Sequence, residues 1–114
     1  MRIFLASDHA GFKLKEKIKE HLDKNKISFE DFGAREYNEK DDYPDFIIPC
    51  CKKVAITKES VGIILGGSGQ GEAIVANKIM GIRAATYYAP NLEIIKLSKE
   101  HNNSNVLSLG SRFL

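Results

Sequence analysis

The sequence has few of the residues that cross-link a fold, bind metal through sulfur or span a membrane. It contains 2 cysteines, 3 prolines and no tryptophan in 114 residues. Cys50 and Cys51 are adjacent and have no other thiol to join, which excludes a disulfide framework and a thiolate metal site. We expect at least one of them to be a small buried apolar side chain.

Long apolar runs are also absent, and the charges are nearly balanced. No segment approaches the roughly 18 consecutive apolar residues that a membrane span needs. Asp8 comes too early in the chain for a secretory signal peptide, so we expect a cytoplasmic protein without membrane contact. The formal net charge of +2 is too small to predict binding to nucleic acid or to an anionic membrane surface.

Short apolar runs alternate with amphipathic segments along a chain whose length and composition are typical of one globular domain, residues 1–114. The predicted strands lie at residues 1–7, 27–32, 63–65, 82–87 and 106–109. The predicted helices cover residues 12–26, a segment capped by Asp42 and distorted near Pro49, a segment ending near residue 80, and residues 90–100. The alternation predicts an α/β fold, a three-layer αβα sandwich with a five-stranded parallel Rossmann-like sheet.

A glycine-rich loop between the third strand and its helix is the most informative segment. Gly66, Gly67, Gly69 and Gly71 let a ligand approach the main chain, and the helix that follows presents unpaired N–H groups to an anion. Glu72 places an ionisable group directly after the loop. The alternative is that the glycines only form a tight turn, because neither a dinucleotide-binding fingerprint nor a Walker loop is present.

Ligands of parallel α/β sheets bind at the carboxyl ends of the strands. This rule selects residues after four of the strands: Asp8 and His9 after the first, Gly66 to Glu72 after the third, Tyr87 and Tyr88 after the fourth, and Arg112 after the fifth. His101 precedes the last strand and is therefore expected at the opposite edge, unless a second subunit brings it to the site.

Several blocks of residues, in order along the whole chain, resemble the ribose-5-phosphate isomerase B family. The blocks are Ser7 to Gly11, Asp42 to Asp45, Gly66 to Glu72, Ala76 to Lys78, Gly81 to Ala84, His101 to Asn103 and Gly110 to Arg112. Galactose-6-phosphate isomerase subunits share the pattern more loosely. The resemblance implies interconversion of ribose 5-phosphate and ribulose 5-phosphate, without metal or organic cofactor. It also implies a homodimer or larger oligomer whose active sites lie between subunits.

The resemblance also implies a role for each matching residue. The family has either a cysteine at the first position of the glycine block or a glutamate at its end as the base; here these positions are Gly66 and Glu72. His101 would open the sugar ring with help from Asp8. Ser68 and the main chain of Gly67, Gly69, Gln70 and Gly71 would form the oxyanion hole. His9 and Arg112 would contact the phosphate. Tyr43 and Asn102 would contact the hydroxyl groups of the substrate, and Asn77 would support the loop.

The resemblance leaves two matters open. Members of the family continue into a terminal helix and tail, so we expect either that this sequence belongs to a longer chain or that its phosphate site is incomplete. The same residues would also serve an allose-6-phosphate or galactose-6-phosphate isomerase. From the glycine loop alone, a non-catalytic module that binds a mononucleotide or phosphate is the alternative of another class.

Overall fold

The apolar runs of the sequence form parallel strands, and the amphipathic segments form the helices that connect them. The computed structural model describes residues 1–114. Its strands are β1 (Arg2–Ser7), β2 (Phe29–Asp31), β3 (Ser60–Gly66), β4 (Ala84–Tyr87) and β5 (Val106–Gly110). Its helices are α1 (Phe12–Lys24), α2 (Pro44–Ile56), α3 (Gln70–Asn77) and α4 (Glu93–Asn102), with 3₁₀ turns at His9–Gly11 and Ser111–Phe113.

All five strands belong to one parallel sheet in the order β2-β1-β3-β5-β4. Neighbouring residues of β3 point to opposite faces: Ile64 packs with α2 and α3, and Leu65 packs with residues of α1 and α4. This arrangement confirms the predicted three-layer sandwich. No helix of the structure combines the length and the apolar composition needed to cross a membrane.

The boundary between α3 and β4 differs from the prediction. α3 ends at Asn77, and β4 begins at Ala84 rather than at residue 82. The Asn77 side chain accepts the Ala84 N–H at 2.7 Å and donates to the Ala84 carbonyl at 3.1 Å. Gly81, at φ +90°, lies in the intervening turn, where a left-handed backbone favours glycine. The helix therefore stops early because its last side chain pairs with the start of the next strand.

The predicted start of α4 at Pro90 is also wrong. The helix begins at Glu93, whose N–H donates to the Asn91 side chain at 2.9 Å, and it ends before Asn103, which has φ +50°. His101 and Asn102 consequently lie in the last helical turn instead of in an irregular break. β2 is shorter than predicted, because only Phe29 to Asp31 of this edge strand pair with β1.

The start of α2 differs in its cap. No side chain caps this helix, so the predicted role of Asp42 is wrong, although a proline does occupy the first turn, at Pro44. The helix continues through Pro49 without a break. Pro49 and Asp45 are both exposed, so water can bind the Asp45 carbonyl, which proline leaves without a helical donor.

A buried ion pair joins α1 to the end of β2. The Lys15 side chain is fully buried, and its Nζ lies 2.8 Å from Asp31 Oδ1 and also donates to the Ala34 carbonyl. Burial raises the pKa of Asp31, but hydrogen bonds from Lys15 and Lys19 outweigh it and hold the pKa below its usual value. The pair fixes the chain where it leaves β2 for the loop that leads to α2.

We predict that Asp31→Asn lowers the free energy of unfolding by about 3 kcal/mol, because it leaves a buried ammonium without its counter-charge. Urea denaturation followed by circular dichroism measures this loss. The difference from the parent should begin to shrink as the pH falls below about 4, where Asp31 of the unfolded chain takes up a proton, and it should vanish only below the lower pKa of Asp31 in the folded parent. Glu16→Gln is the control, since it removes an exposed partner of Lys19 and should change stability by less than about 0.5 kcal/mol.

Candidate functional site

The candidate site lies where the chain order reverses in the sheet. β1 is followed by β2 on one side and lies beside β3 on the other, which makes the gap between β1 and β3 the topological switch point. Ser7 pairs in register with Leu65, and Gly66 with Gly110. The segments that follow these three strands therefore meet at one edge.

The glycine loop presents free main-chain donors at this edge. The N–H groups of Gly67, Ser68 and Gly69 make no hydrogen bond within the chain. Gly69 has φ +79°, and its carbonyl accepts the hydroxyl of the buried Ser108 at 2.7 Å. The Ser68 hydroxyl accepts the N–H of Gln70 at 3.2 Å. The loop is held from behind by Ser108 while its donors stay open to an anion.

The Glu72 carboxyl group lies against Gly66. Any side chain at position 66 would overlap this carboxyl group, so only glycine leaves room for it. Glu72 is 5% exposed. Its burial raises the pKa of the carboxyl group, its own backbone N–H acts in the opposite direction, and the negative charge of Asp8 raises the pKa further. The result is a carboxyl group that is more basic than a solvated one.

Two side chains flank the loop and explain two more of its glycines. A Cβ on Gly71 would lie 2.9 Å from the Tyr43 hydroxyl, and one on Gly67 would lie 3.1 Å from the Arg112 guanidinium carbon. The main-chain N–H of Arg112 also donates to the Gly67 carbonyl at 3.0 Å. Tyr43 and Arg112 are thus both placed against the open face of the loop.

Asp8 and His9 complete the edge from the β1 side. Asp8 is buried, and its Oδ1 accepts the Ala10 N–H at 3.0 Å. His9 contacts Asp41, whose Oδ1 lies 2.7 Å from the ring Nδ1 and accepts the His9 main-chain N–H at 3.0 Å. The hydrogen bond to Asp41 raises the pKa of His9. Sequence reasoning missed Asp41, because nothing in a polar loop indicates a partner 32 residues away.

Sequence reasoning also missed Ser108, although a signal for it was present. A polar residue in the otherwise apolar run of β5 is unusual, and it indicates a side chain that faces a polar partner.

Asp8, His9 and Asp41 could in principle bind a cation, since one potential ligand atom of each lies within 4.8 Å of the others. The His9 Nδ1 and Asp41 Oδ1 atoms are already hydrogen-bonded to each other. The Asp8 side chain accepts a hydrogen bond from the Ala10 main-chain N–H. All three side chains therefore make hydrogen bonds within the chain, and none of these bonds needs a cation. The absence of a metal and of an organic cofactor remains a prediction.

Three predicted site residues lie at the other edge of the sheet. Asn77 binds the first residue of β4, and His101 and Asn102 end the helix that leads into β5. Asn77 and Asn102 line a cavity of about 430 Å³ at that edge. The structure does not bring these three residues to Glu72 of the same chain, in agreement with the expectation for His101.

Four cavities of about 230 to 490 Å³ are lined neither by Glu72 nor by the glycine loop. The two cysteines do not contribute to the site either. Both are buried, and burial raises the pKa of the Cys50 thiol and raises that of Cys51 to about 12, so neither is a reactive thiolate.

The fold and the site define a class: parallel α/β proteins with an anion-binding glycine loop and an adjacent buried carboxyl group. Comparison with known proteins then gives the family. The sequence model of the ribose/galactose isomerase family matches residues 3–114. Ribose-5-phosphate isomerase B of Mycolicibacterium paratuberculosis is 44% identical over 112 residues, which cover 98% of this chain and 69% of that protein.

Solved structures agree with this match. Ribose-5-phosphate isomerase B of Mycoplasma genitalium, with bound ribulose 5-phosphate, superposes with a TM-score of 0.92 at 38% identity, covering 99% of this chain and 74% of the other. The corresponding protein of Clostridium thermocellum gives a TM-score of 0.92 at 40% identity, covering 100% and 75%. The chain belongs to the ribose/galactose isomerase family, which confirms the resemblance found in the sequence.

We predict that Asp8→Asn lowers the pKa of Glu72, because it removes a negative charge that disfavours ionisation of the neighbouring carboxyl group. The titration of the Glu72 side-chain carboxyl carbon, followed by NMR in the parent and the variant, measures the shift. Asp23→Asn, on the exposed surface of α1, should leave the titration unchanged. An unaltered Glu72 titration in Asp8→Asn would show that the two groups are not coupled.

Proposed function

We propose that this chain is an aldose–ketose isomerase that interconverts D-ribose 5-phosphate and D-ribulose 5-phosphate. The observation that carries the proposal is the buried Glu72 carboxyl group beside three unpaired main-chain donors of the glycine loop. Such an isomerase needs one base for a carbon-bound proton and donors for the oxygen that becomes negative. The names of the relatives support the same reaction.

In the proposed reaction, Glu72 removes the proton from C2 of the open-chain aldose and returns it to C1, while the hydroxyl proton moves from O2 to O1. A raised pKa favours this step, because a more basic carboxylate accepts a proton from carbon more readily. The N–H groups of Gly67, Ser68 and Gly69 would stabilise the enediolate oxygen, since they need break no internal hydrogen bond to do so.

The contact between Glu72 and Gly66 supports Glu72 as the base. In the resembling family the base is either a cysteine at the position of Gly66 or a glutamate at the position of Glu72. Here the Glu72 carboxyl group fills the space that a side chain at position 66 would take. The two alternatives would therefore deliver a base to nearly the same point above the strand.

The phosphate would bind beside this centre, between His9 and Arg112. Arg112 offers a planar set of donors next to Gly67, and the raised pKa of His9 favours a second positive charge. A phosphate held there places the sugar carbons toward Glu72. A module that only binds phosphate would have no use for a buried, proton-accepting carboxyl group, which favours the enzyme over that alternative.

We predict that Glu72→Gln lowers kcat by about 100-fold or more, because an amide cannot accept the proton. KM should change little, and ribulose 5-phosphate formation measures both constants. Glu20→Gln, on the exposed side of α1, is the control and should match the parent. A Glu72→Gln variant that turns over as fast as the parent contradicts the role of Glu72. Allose 6-phosphate in the same assay distinguishes a hexose phosphate isomerase through its kcat/KM.

The active form is proposed to be a homodimer, or a larger oligomer built from it, with His101 and Asn102 supplied to each site by the neighbouring subunit. The position of these residues at the far edge of their own sheet supports this arrangement. Two apolar side chains of α4 also support it, because an exposed apolar surface is typical of an interface. Ile94 is 46% exposed and Leu97 is 38% exposed, and α4 has no buried residue. The cytoplasmic location remains a prediction of the sequence.

Mixing two inactive variants tests the shared site. Glu72→Gln and His101→Ala should each be inactive, but a hybrid dimer carries one site with both native residues. Random exchange of subunits should restore about one quarter of the parent's activity. Half of the dimers are then hybrids, and one of the two sites in each hybrid carries both native residues. Unmixed samples at the same concentration are the control. If both residues come from one chain, mixing restores nothing.

A further inference from the structure

Asp41 is a partly buried acid that the proposed reaction does not use. It lies in the loop before α2, and its side chain is 9% exposed. Its Oδ1 accepts from both the main-chain N–H and the ring Nδ1 of His9, at 3.0 and 2.7 Å. Its Oδ2 is buried and has no hydrogen-bond partner. Every hydrogen bond to this carboxylate therefore comes from His9.

The contact fixes both the tautomer and the orientation of the His9 ring. A carboxylate can only accept, so Nδ1 carries the hydrogen that lies between the two groups. Nε2 makes no hydrogen bond within the chain, and the side chain is 26% exposed. The Tyr37 ring stands nearly perpendicular to the imidazole at 6.2 Å and limits its rotation. Nε2 is consequently the atom left for a ligand.

The surroundings of His9 favour a charged ring. The hydrogen bond to Asp41 raises the pKa of His9 most strongly, burial lowers it, the charges of Asp8 and Asp41 raise it, and Arg112 lowers it. A neutral ring would also leave the Asp41 carboxylate, with its unpaired Oδ2, without compensation in a buried place. Arg112 and a charged His9 together form a site with two positive charges for a dianion.

We propose that Asp41 is a positioning residue for phosphate binding, which holds the His9 ring through Nδ1 so that a charged Nε2–H faces the phosphate. The inference rests on the proposed function in one respect, since it takes the ligand to be a phosphate ester. Asp41 does not touch the substrate; it acts through His9 alone.

Asp41→Asn tests this role, because asparagine keeps an oxygen acceptor of the same size and removes the charge. At pH 7.5 KM for ribose 5-phosphate and the dissociation constant for inorganic phosphate should rise about threefold to tenfold, with kcat within about twofold of the parent. The ratio of variant to parent should be smaller at pH 6 than at pH 7.5, because a lower pH favours the charged His9 ring even without Asp41. Glu39→Gln removes an exposed charge from the same loop and is the control.

A double-mutant cycle with His9→Gln separates positioning from a general structural role. If Asp41 acts through His9, Asp41→Asn should weaken inorganic phosphate binding no further in the His9→Gln background. An undiminished further loss there, or a loss equal at both pH values in the single variant, overturns the inference.

NMR of the His9 ring gives a readout that is independent of turnover. The parent should show a hydrogen on Nδ1 and titrate at higher pH than Asp41→Asn does. Identical titrations overturn the inference. If ribose 5-phosphate is not isomerised, the proposed function fails, while the phosphate and NMR measurements still decide the role of Asp41.

Discussion

The close approach of the Glu72 carboxyl group to Gly66 is the contact on which the site depends. It requires a strand that ends without a side chain and a helix that begins within a few residues of it. The same short connection turns the N–H groups of the loop outward, because the carbonyls of Gly69 and Gly67 accept hydrogen bonds from the Ser108 hydroxyl and the Arg112 main-chain N–H. One backbone geometry therefore supplies both the basic group and the donors next to it.

This arrangement costs stability locally. A carboxyl group with 5% exposure loses much of its hydration, which disfavours its charged form. The surrounding fold offsets this cost through the core on both faces of the sheet and through the Lys15–Asp31 pair. A buried ionisable group whose pKa is shifted, next to free main-chain donors, is typical of a functional site.

The sheet order explains why residues far apart in sequence share this edge. The chain leaves β1 in one direction and returns on the other side of it as β3, so the loops after these two strands diverge to opposite faces of the sheet. Asp8 and the glycine loop follow directly after these two strands. The edge where β4 and β5 begin is too far away in the same chain to contribute, which makes the position of His101 a question of assembly.

The sequence by itself determined the elements and most of the loop chemistry. Short apolar runs that alternate with amphipathic segments predict a parallel α/β fold, and four glycines before Glu72 predict an anion site. Both signals lie within short segments of the chain. Only the tertiary structure decided the Asp41–His9 contact, the close packing of Glu72 on Gly66, and the place of Asn77 on Ala84. These contacts join segments that the sheet order brings together. The sequence shows no periodic pattern that would predict which of these residues are buried or which hydrogen-bond partners they have.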